Sequence, residues 1–288
     1  MSILTHNAYG KSDVRLTKVV RNGPRHELFE ITANVQIEGD FAAAYTAGDN
    51  RNCVATDTMK NFVYVKAKER PFAAVEAFAG ILVDELIAAY PQVTRATVEL
   101  TQAAWRRIEV DGKPHDHAFV DGGRQKRYAR AVRTRAGGDR AQITGGVRDL
   151  LVLKTTASEW RDFHFDRHRT LKDTSDRIMA TSIDADWAFN ASAGDNFDDH
   201  HAAISAAILG AFATQHSLGV QQTIQHMGDA ALAACAGIDS ISFALPNKHR
   251  IPFNLEPFGL KFENDVFVAT DEPYGMIHGT IARGEARR

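Results

Sequence analysis

The order in which the hydrophobic period changes along this chain constrains its fold more than any single residue does. The run 14–20 alternates Val14, Leu16 and Val19 with polar residues, and after the turn Asn22-Gly23-Pro24 the run 26–38 continues with Leu28, Ile31, Ala33, Val35 and Ile37. Two extended runs joined by a Gly-Pro turn predict a β-hairpin. The period then lengthens. Residues 58–68 read as a helix with Thr56 or Asp57 as its N-cap. Pro71 opens a second helix over 72–90, with Phe78, Ile81, Leu82 and Leu86 on one face and Pro91 as its stop. Runs 93–108, 115–120 and 125–134 return to strand. The second half has the same order: strands at 146–155 and 178–189, Ala-rich helices at 197–215 and 220–234, strands at 238–245 and 265–269. No residue-by-residue repeat links the halves, only this order of elements. Strand pair, helix pair, strand pair, twice over, predicts an α+β chain with antiparallel sheets and helices on one face.

The 288 residues, 44% of them hydrophobic, suffice for two domains or one large one. With 34 basic and 36 acidic residues well mixed, net charge is −2, which argues against a nucleic-acid groove or a polybasic membrane patch. The basic run from Arg124 to Arg140 alternates with Ala, Val and Tyr as an exposed strand face does; an anion patch is the other reading. Two distant cysteines, Cys53 and Cys235, make no disulfide framework and point to a reducing compartment. No basic leader precedes an apolar run at Met1, no apolar stretch is bilayer-long, and Gly284-Glu285-Ala286-Arg287-Arg288 is not the Ser-Lys-Leu peroxisomal address. A cytoplasmic protein with no membrane partner is the expectation.

Common cofactor motifs are missing. Gly10-Lys11-Ser12 ends like a phosphate loop, but position 5 is Thr5 rather than glycine and a strand follows. No Gly-x-Gly-x-x-Gly follows a strand. His164 and His168 have a spacing that suits one helix face, but His164 is not followed by the Glu of the His-Glu-x-x-His zinc helix; surface or polar-core histidines are preferred to metal ligands. Acidic Asp198 and Asp199 at a helix start suit the helix dipole.

Two short segments carry more. In Asn52-Cys53-Val54-Ala55-Thr56-Asp57-Thr58 a Thr-Asp pair opens a helix, and in Leu245-Pro246-Asn247-Lys248-His249 an Asn-x-His triplet closes a strand. Each sets small polar groups at the end of a rigid element. Together with Tyr9-Gly10-Lys11, Arg177 and Val220-Gln221-x-Thr223, they resemble the urate oxidase family, over a span from about Asn7 to about Thr280. The resemblance implies two tandem tunnelling-fold (T-fold) modules, 1–140 and 141–288, whose sheets close into a barrel only when subunits pair, in a homotetramer with a central tunnel. It also implies oxidation of urate to 5-hydroxyisourate and hydrogen peroxide, with O₂ as co-substrate and neither metal nor organic cofactor. Another T-fold enzyme acting on a purine or pterin, or a catalytically silent purine-binding homologue, stays open.

The residue types suit that substrate. Urate is a flat anionic purine trione. A guanidinium offers paired planar donors and stays charged, as Arg177 would. A carboxamide matches an amide edge of the ring, as Gln221 would. By the resemblance these two clamp opposite edges of urate, Val220 and Asp57 add backbone N–H groups, and Asn247 holds the oxygen or peroxide species. Read alone, Arg177 suits a surface ion pair and Gln221 an exposed helix position. Lys11, Thr56 and His249 would handle protons: a hydroxyl alone is a poor acid or base, a desolvated amine exchanges a proton with it, and an imidazole relays further. Read alone, Lys11 is a strand-end lysine and Thr56 a plain cap. Trp160 stands where the family commonly has a stacking Phe, and Asp162-Phe163 where many relatives have Gly-Phe. Indole stacks on a purine at least as well as phenyl, with Phe163 as the other candidate. By the same resemblance Lys11, Thr56 and Asp57 meet Trp160, Arg177 and Gln221 of a different subunit.

Overall fold

The computed structural model describes residues 2–138 and 140–284. Residues 285–288, read above for a targeting tripeptide, lie outside the described residues, as does Asp139 of the basic run. The chain divides into two compact units. One holds the residues up to Gly146 together with Gly194–Asp198; the other holds Val147–Ala193 and the residues from Asp199 on.

In the first unit, β1 (Tyr9–Arg21) and β2 (His26–Gly39) form the expected hairpin, with Arg21 opposite His26. The pairing shifts between Lys11 and Val14, where Asp13 turns to φ 55° and donates its amide to Asn34 Oδ1 at 2.9 Å. A short helix, α1 (Ala42–Ala47), follows with no buried residue, so no apolar period announces it. Helix α2 (Thr56–Glu69) buries Met59, Val63 and Ala67, one per turn. Its N-cap is Ala55 at φ −59°, ψ 140°, with no side-chain cap bond. The expected cap at Thr56 or Asp57 is thereby corrected: extended backbone ends one residue earlier, and both residues lie inside the first turn.

Helix α3 (Val75–Ala89) also starts later than expected, because Ala74 is still extended at φ −133°. Its carboxyl end is closed by Arg135, which donates to the carbonyls of Ile87 and Tyr90 at 2.6 and 2.9 Å. Strands β3 (Val93–Val110) and β4 (Lys113–Thr134) form one long antiparallel pair, so the expected runs 115–120 and 125–134 are a single strand with register shifts. The order is β1-β2-β3-β4. One sheet face, through Ile31, Ala33, Val35, Val98 and Leu100, is buried under Val63, Phe78, Leu82 and Leu86. Burying each such large side chain contributes about 1.5–3 kcal/mol. The basic run is ion-paired on both faces of β4, Arg127 and Arg133 toward α3 and Arg130 toward its cross-strand partner on β3. Arg127 reaches fully buried Glu76 at 2.7 Å, Arg130 reaches Glu99 at 3.4 Å and Arg133 reaches Asp84 at 3.1 Å.

The second unit contains β5 (Gln142–Lys154) from Val147 on, β6 (Met179–Phe189), α4 (Phe197–Thr214) from Asp199 on, α5 (Val220–Ala234) and β7 (Ile238–Pro246). A separate two-stranded ribbon, β8 (His249–Pro252) with β9 (Phe267–Thr270), precedes β10 (Met276–Ala282). The sheet order is β5-β6-β7-β10, with β7 antiparallel to both neighbours. Strand β10 escapes the alternation pattern because Gly279 breaks it. A Cβ there would stand 2.7 Å from Ile224 Cγ2, so the glycine lets α5 lie close on the sheet. Trp187, Ile204, Ile208, Met227 and Ile241 fill the core between sheet and helices. The fold is α+β, with antiparallel sheets. Among the described residues no helix is long and apolar enough to cross a membrane.

Candidate active site

Between β5 and β6 the chain runs without helix or strand, yet its backbone is tied by several hydrogen bonds. Trp160 and Thr174 exchange amide bonds at 2.8 and 2.9 Å, the Arg177 amide donates to Ser158 O at 2.8 Å, and Glu159 donates to Ser217 O at 2.8 Å. These bonds bring Trp160 and Arg177 beside the start of α5. That helix begins after Gly219, and its first helical bond runs from the Thr223 amide to the Gly219 carbonyl at 3.1 Å. Buried Ser217 and Thr223 join hydroxyls at 2.7 Å beneath this turn, a structural task for the Thr of Val220-Gln221-x-Thr223. The amides of Val220 and Gln221 are left without helical acceptors at the positive end of the dipole.

A cavity of about 340 Å³ opens here, and it lies wholly within the second unit. Trp160, Arg177, Val220, Gln221, Asn247 and His249 all line it. Phe163 is not in the lining; it stacks behind Trp160, with centroids 5.5 Å apart and planes 16° from parallel. Arg169 lies over Phe163 in turn, 3.9 Å from its centroid. A Cβ on Gly219 would come 2.8 Å from Trp160 Cζ3, so the indole fits only because position 219 is glycine. Asp162 takes φ 56°. That left-handed conformation is free for glycine and tolerated by Asp, so the departure from Gly-Phe keeps the turn.

Arg177 is half-buried, and its Nε is buried with no hydrogen-bond partner among the described residues. Burial pushes the guanidinium below its ordinary pKa. A desolvated cation without a counter-charge is costly unless a ligand supplies one, so the surface-ion-pair reading of Arg177 does not hold here. Lys172, Lys248 and Arg250 also line the cavity, with Asp176 as its acidic member; Lys248 is paired to Asp271 at 3.1 Å. Motif reading passed over these cations, although Lys248 sits inside Leu245-Pro246-Asn247-Lys248-His249 and Arg250 adjoins it. Ile178, Val220 and Ile277 give the cavity apolar walls.

The Asn-x-His triplet spans two elements instead of closing one. Asn247 lies just past β7, bridged to Thr181, with its amide on Gly275 O at 2.8 Å, while Lys248 donates to Ala180 O at 2.9 Å. His249 then begins β8, opposite Thr270. These main-chain bonds fix both side chains at the cavity wall.

Lys11, Thr56 and Asp57 belong to the first unit. Lys11 is half-buried at the β1 bulge, and Thr56 and Asp57 are exposed in the first turn of α2. The Asp57 carboxyl is held below the usual range, first by the hydrogen bond and charge of Lys60, and to a lesser degree by Asn61 and Lys11. Its amide has no helical acceptor at this position. Tyr9 orders the same corner: Oη accepts the Val54 amide at 2.8 Å, which ties the approach to Thr56 onto the strand carrying Lys11. Burial pushes the Tyr9 phenol up to about 12. Its place beside Lys11 in Tyr9-Gly10-Lys11 was the only sequence signal for that role.

Elsewhere His168, His115 and His200 have ordinary partners. His168 accepts from Arg167 at 3.0 Å, His115 Nδ1 accepts the amides of His117 and Ala118 at 3.2 and 3.1 Å, and His200 contacts Ala193 O and Cys235 Sγ at 2.9 and 3.2 Å. Among the described residues no group of three or more His, Cys, Asp or Glu is placed to hold a metal ion.

Comparisons with known proteins bear on the family and fold of the chain. The family model described as Uricase matches residues 7–132 and 143–278. The chain is 42% identical to the uricase of Arthrobacter globiformis over 285 residues, covering 99% of this chain and 91% of that one. It is 33% identical to the uricase of Aspergillus flavus, covering 100% and 99%. The crystal structure of the Arthrobacter globiformis uricase superposes with a TM-score of 0.92 at 41% identity, covering 100% of this chain and 97% of that one. By family model, by relatives across its whole length and by fold, the chain belongs to the uricase family.

Proposed function

We propose that this chain is a urate oxidase: urate, O₂ and water give 5-hydroxyisourate and hydrogen peroxide. The observation that carries the reading is Arg177, a half-buried guanidinium with an unpartnered Nε in the cavity that also holds Trp160, Gln221, Asn247 and His249. Trp160 offers a flat face, backed by Phe163, against which a purine stacks. Arg177 and Gln221 bind opposite edges of the ring, and the Val220 amide joins them. Lys11 and Thr56, with His249, take and relay the proton that makes the ring electron-rich enough to reduce O₂ by single-electron transfer. Asn247 holds the oxygen species above the ring, and water adds to the oxidised purine. The protein contributes position and charge stabilisation; the substrate contributes the electrons.

Catalysis needs no metal and no organic cofactor. Family membership supports this, and so does the lining, whose amides, guanidinium and carboxamides suit an oxygen-rich planar anion. The two modules, 1–140 and 141–288, are T-folds whose sheets close into a barrel in a homotetramer. Lys11, Thr56 and Asp57 of one subunit complete the cavity of another. Exposure of Thr56 and Asp57 in the first turn of α2, neither of them lining the cavity of the second unit, supports that arrangement. The free thiols of Cys53 and Cys235 suit a cytoplasmic protein.

The test is a spectrophotometric urate assay on metal-stripped protein with chelator present. Loss of the urate band with matching peroxide is expected. Activity absent from stripped protein and restored by stoichiometric copper or iron would contradict the metal-free reading. No turnover under any of these conditions would contradict the activity itself.

A further inference from the structure

Glu159 is buried, with 6% of its surface exposed, and the reaction proposed above gives it no task. Its Oε1 lies 2.7 Å from His216 Nε2 and its Oε2 lies 2.6 Å from Arg161 Nε. Its backbone amide donates to Ser217 O at 2.8 Å. Main chain and side chain of one residue therefore grip the loop that leads into α5. A carboxylate this deeply buried is unfavourable unless donors meet both oxygens, and here they do.

The position of this grip matters. Glu159 precedes Trp160, and the amide of Arg177 is bonded to Ser158, so one side of the cavity hangs on this segment. The other side, Val220 and Gln221, hangs on the loop that carries His216 and Ser217. The Glu159 carboxylate joins the two through its hydrogen bond to His216.

We infer that Glu159 is a positioning residue for substrate: through His216 it sets the separation between the Trp160–Arg177 side and the α5 side of the cavity, while Arg161 meets its second oxygen. Its side chain does not line the cavity, so its loss acts on binding and not on the chemical step. The identity of the substrate rests on the urate reading; the geometry of the grip does not.

The experiment compares Glu159→Ala, Glu159→Gln, His216→Ala and the double variant Glu159→Ala/His216→Ala in steady-state urate kinetics. Misplacing one half of a binding site by about an ångström is worth on the order of tenfold or more. Glu159→Ala should raise KM about tenfold and leave kcat within about twofold. Glu159→Gln, which keeps the shape and part of the hydrogen bonding, should recover most of the loss. The double variant should be no worse than Glu159→Ala, because both changes break one contact. Unchanged KM in Glu159→Ala, a kcat loss as large as the KM rise, or full additivity in the double variant would overturn the inference.

A second measurement needs no substrate. In ligand-free protein, Glu159→Ala should speed hydrogen exchange at 158–160, 177 and 217–223 and leave the β6 and β7 amides as protected as before. Uniform loss of protection, or none, would overturn the inference. A parent protein that leaves urate untouched contradicts the proposed function instead, and the exchange result still decides the role of Glu159.

Discussion

The second unit encloses six candidate residues around one cavity of about 340 Å³, whereas the first leaves Thr56 and Asp57 exposed and Lys11 half-covered. The first unit's hollows include one of about 140 Å³ lined by Tyr9, Ala44, Tyr45 and Cys53 and one of about 340 Å³ lined by Ser12, Asn34, Gln36, Glu99 and Arg130 among others, and none of the three candidates lines either. The contrast separates two tasks. Recognition of a planar anion needs a desolvated cation, a stacking face and a hydrogen-bonding edge in one place, and the second unit has them. Proton transfer needs a few groups brought to the substrate, and an exposed helix start with a neighbouring lysine can bring them from elsewhere. Damage to the two units should therefore appear in different kinetic constants.

The largest effect belongs to the first unit. Positioned acid–base groups contribute about 10²–10⁴-fold, so Thr56→Ala should lower kcat by a factor in that range while KM stays near the parent value. Steady-state kinetics on folded variant protein decide it. A rise in KM with kcat intact would transfer Thr56 from the chemical task to the binding one and break the comparison.

Next is Arg177→Ala. A charge-assisted contact in a desolvated site contributes about 1.5–3 kcal/mol, so urate binding should weaken at least about tenfold. Calorimetry or KM measures it. Because Nε has no protein partner to lose, the empty site should hardly lose stability. A large fall in Tm with unchanged urate affinity would make Arg177 a structural residue.

The smallest effect concerns Tyr9. Burial raises its phenol to about 12. The folded state thus holds the proton more tightly than the unfolded chain, and the stability so gained is complete below about pH 10 and lost as pH rises through about 12. Tyr9→Phe removes the acceptor of the Val54 amide, which should cost about 0.5–1.5 kcal/mol at neutral pH. Urea unfolding between pH 8 and 11.5 should show a shallower alkaline decline in the variant than in the parent. Parallel declines would show that burial does not hold the phenol proton, and unchanged stability at neutral pH would show that Tyr9 does not tie the Thr56 corner to β1.

Sequence reading reached the two units unequally as well. Helix α5 begins and ends where its period predicts, because Gly219 precedes it and its apolar residues recur each turn. Helix α3 starts later than Pro71, a good helix opener, predicts, because residues 71–74 are non-helical and Ala74 is still extended. The segment 155–178 has no period, since side chains there answer to scattered backbone bonds and not to a repeating face; Trp160 and Arg177 were legible only through family resemblance. Strand β8 is four residues long and begins inside the site motif, so its pairing with β9 has no local signal. The Glu159–His216 contact joins residues 57 apart, a separation that no motif encodes.

The central claim is that the second unit's cavity, with Arg177, Gln221 and His249, meets Lys11 and Thr56 of the first unit between subunits. Co-refolding Thr56→Ala with Arg177→Ala tests it most directly. Each variant alone damages a different half of every site. In mixed oligomers some sites draw both intact halves, so activity should return in the fraction set by statistical mixing, and only after refolding together, not after blending assembled proteins. Hetero-oligomers verified by tag pull-down that remain as inactive as either parent would contradict the claim and place the whole site within a single chain.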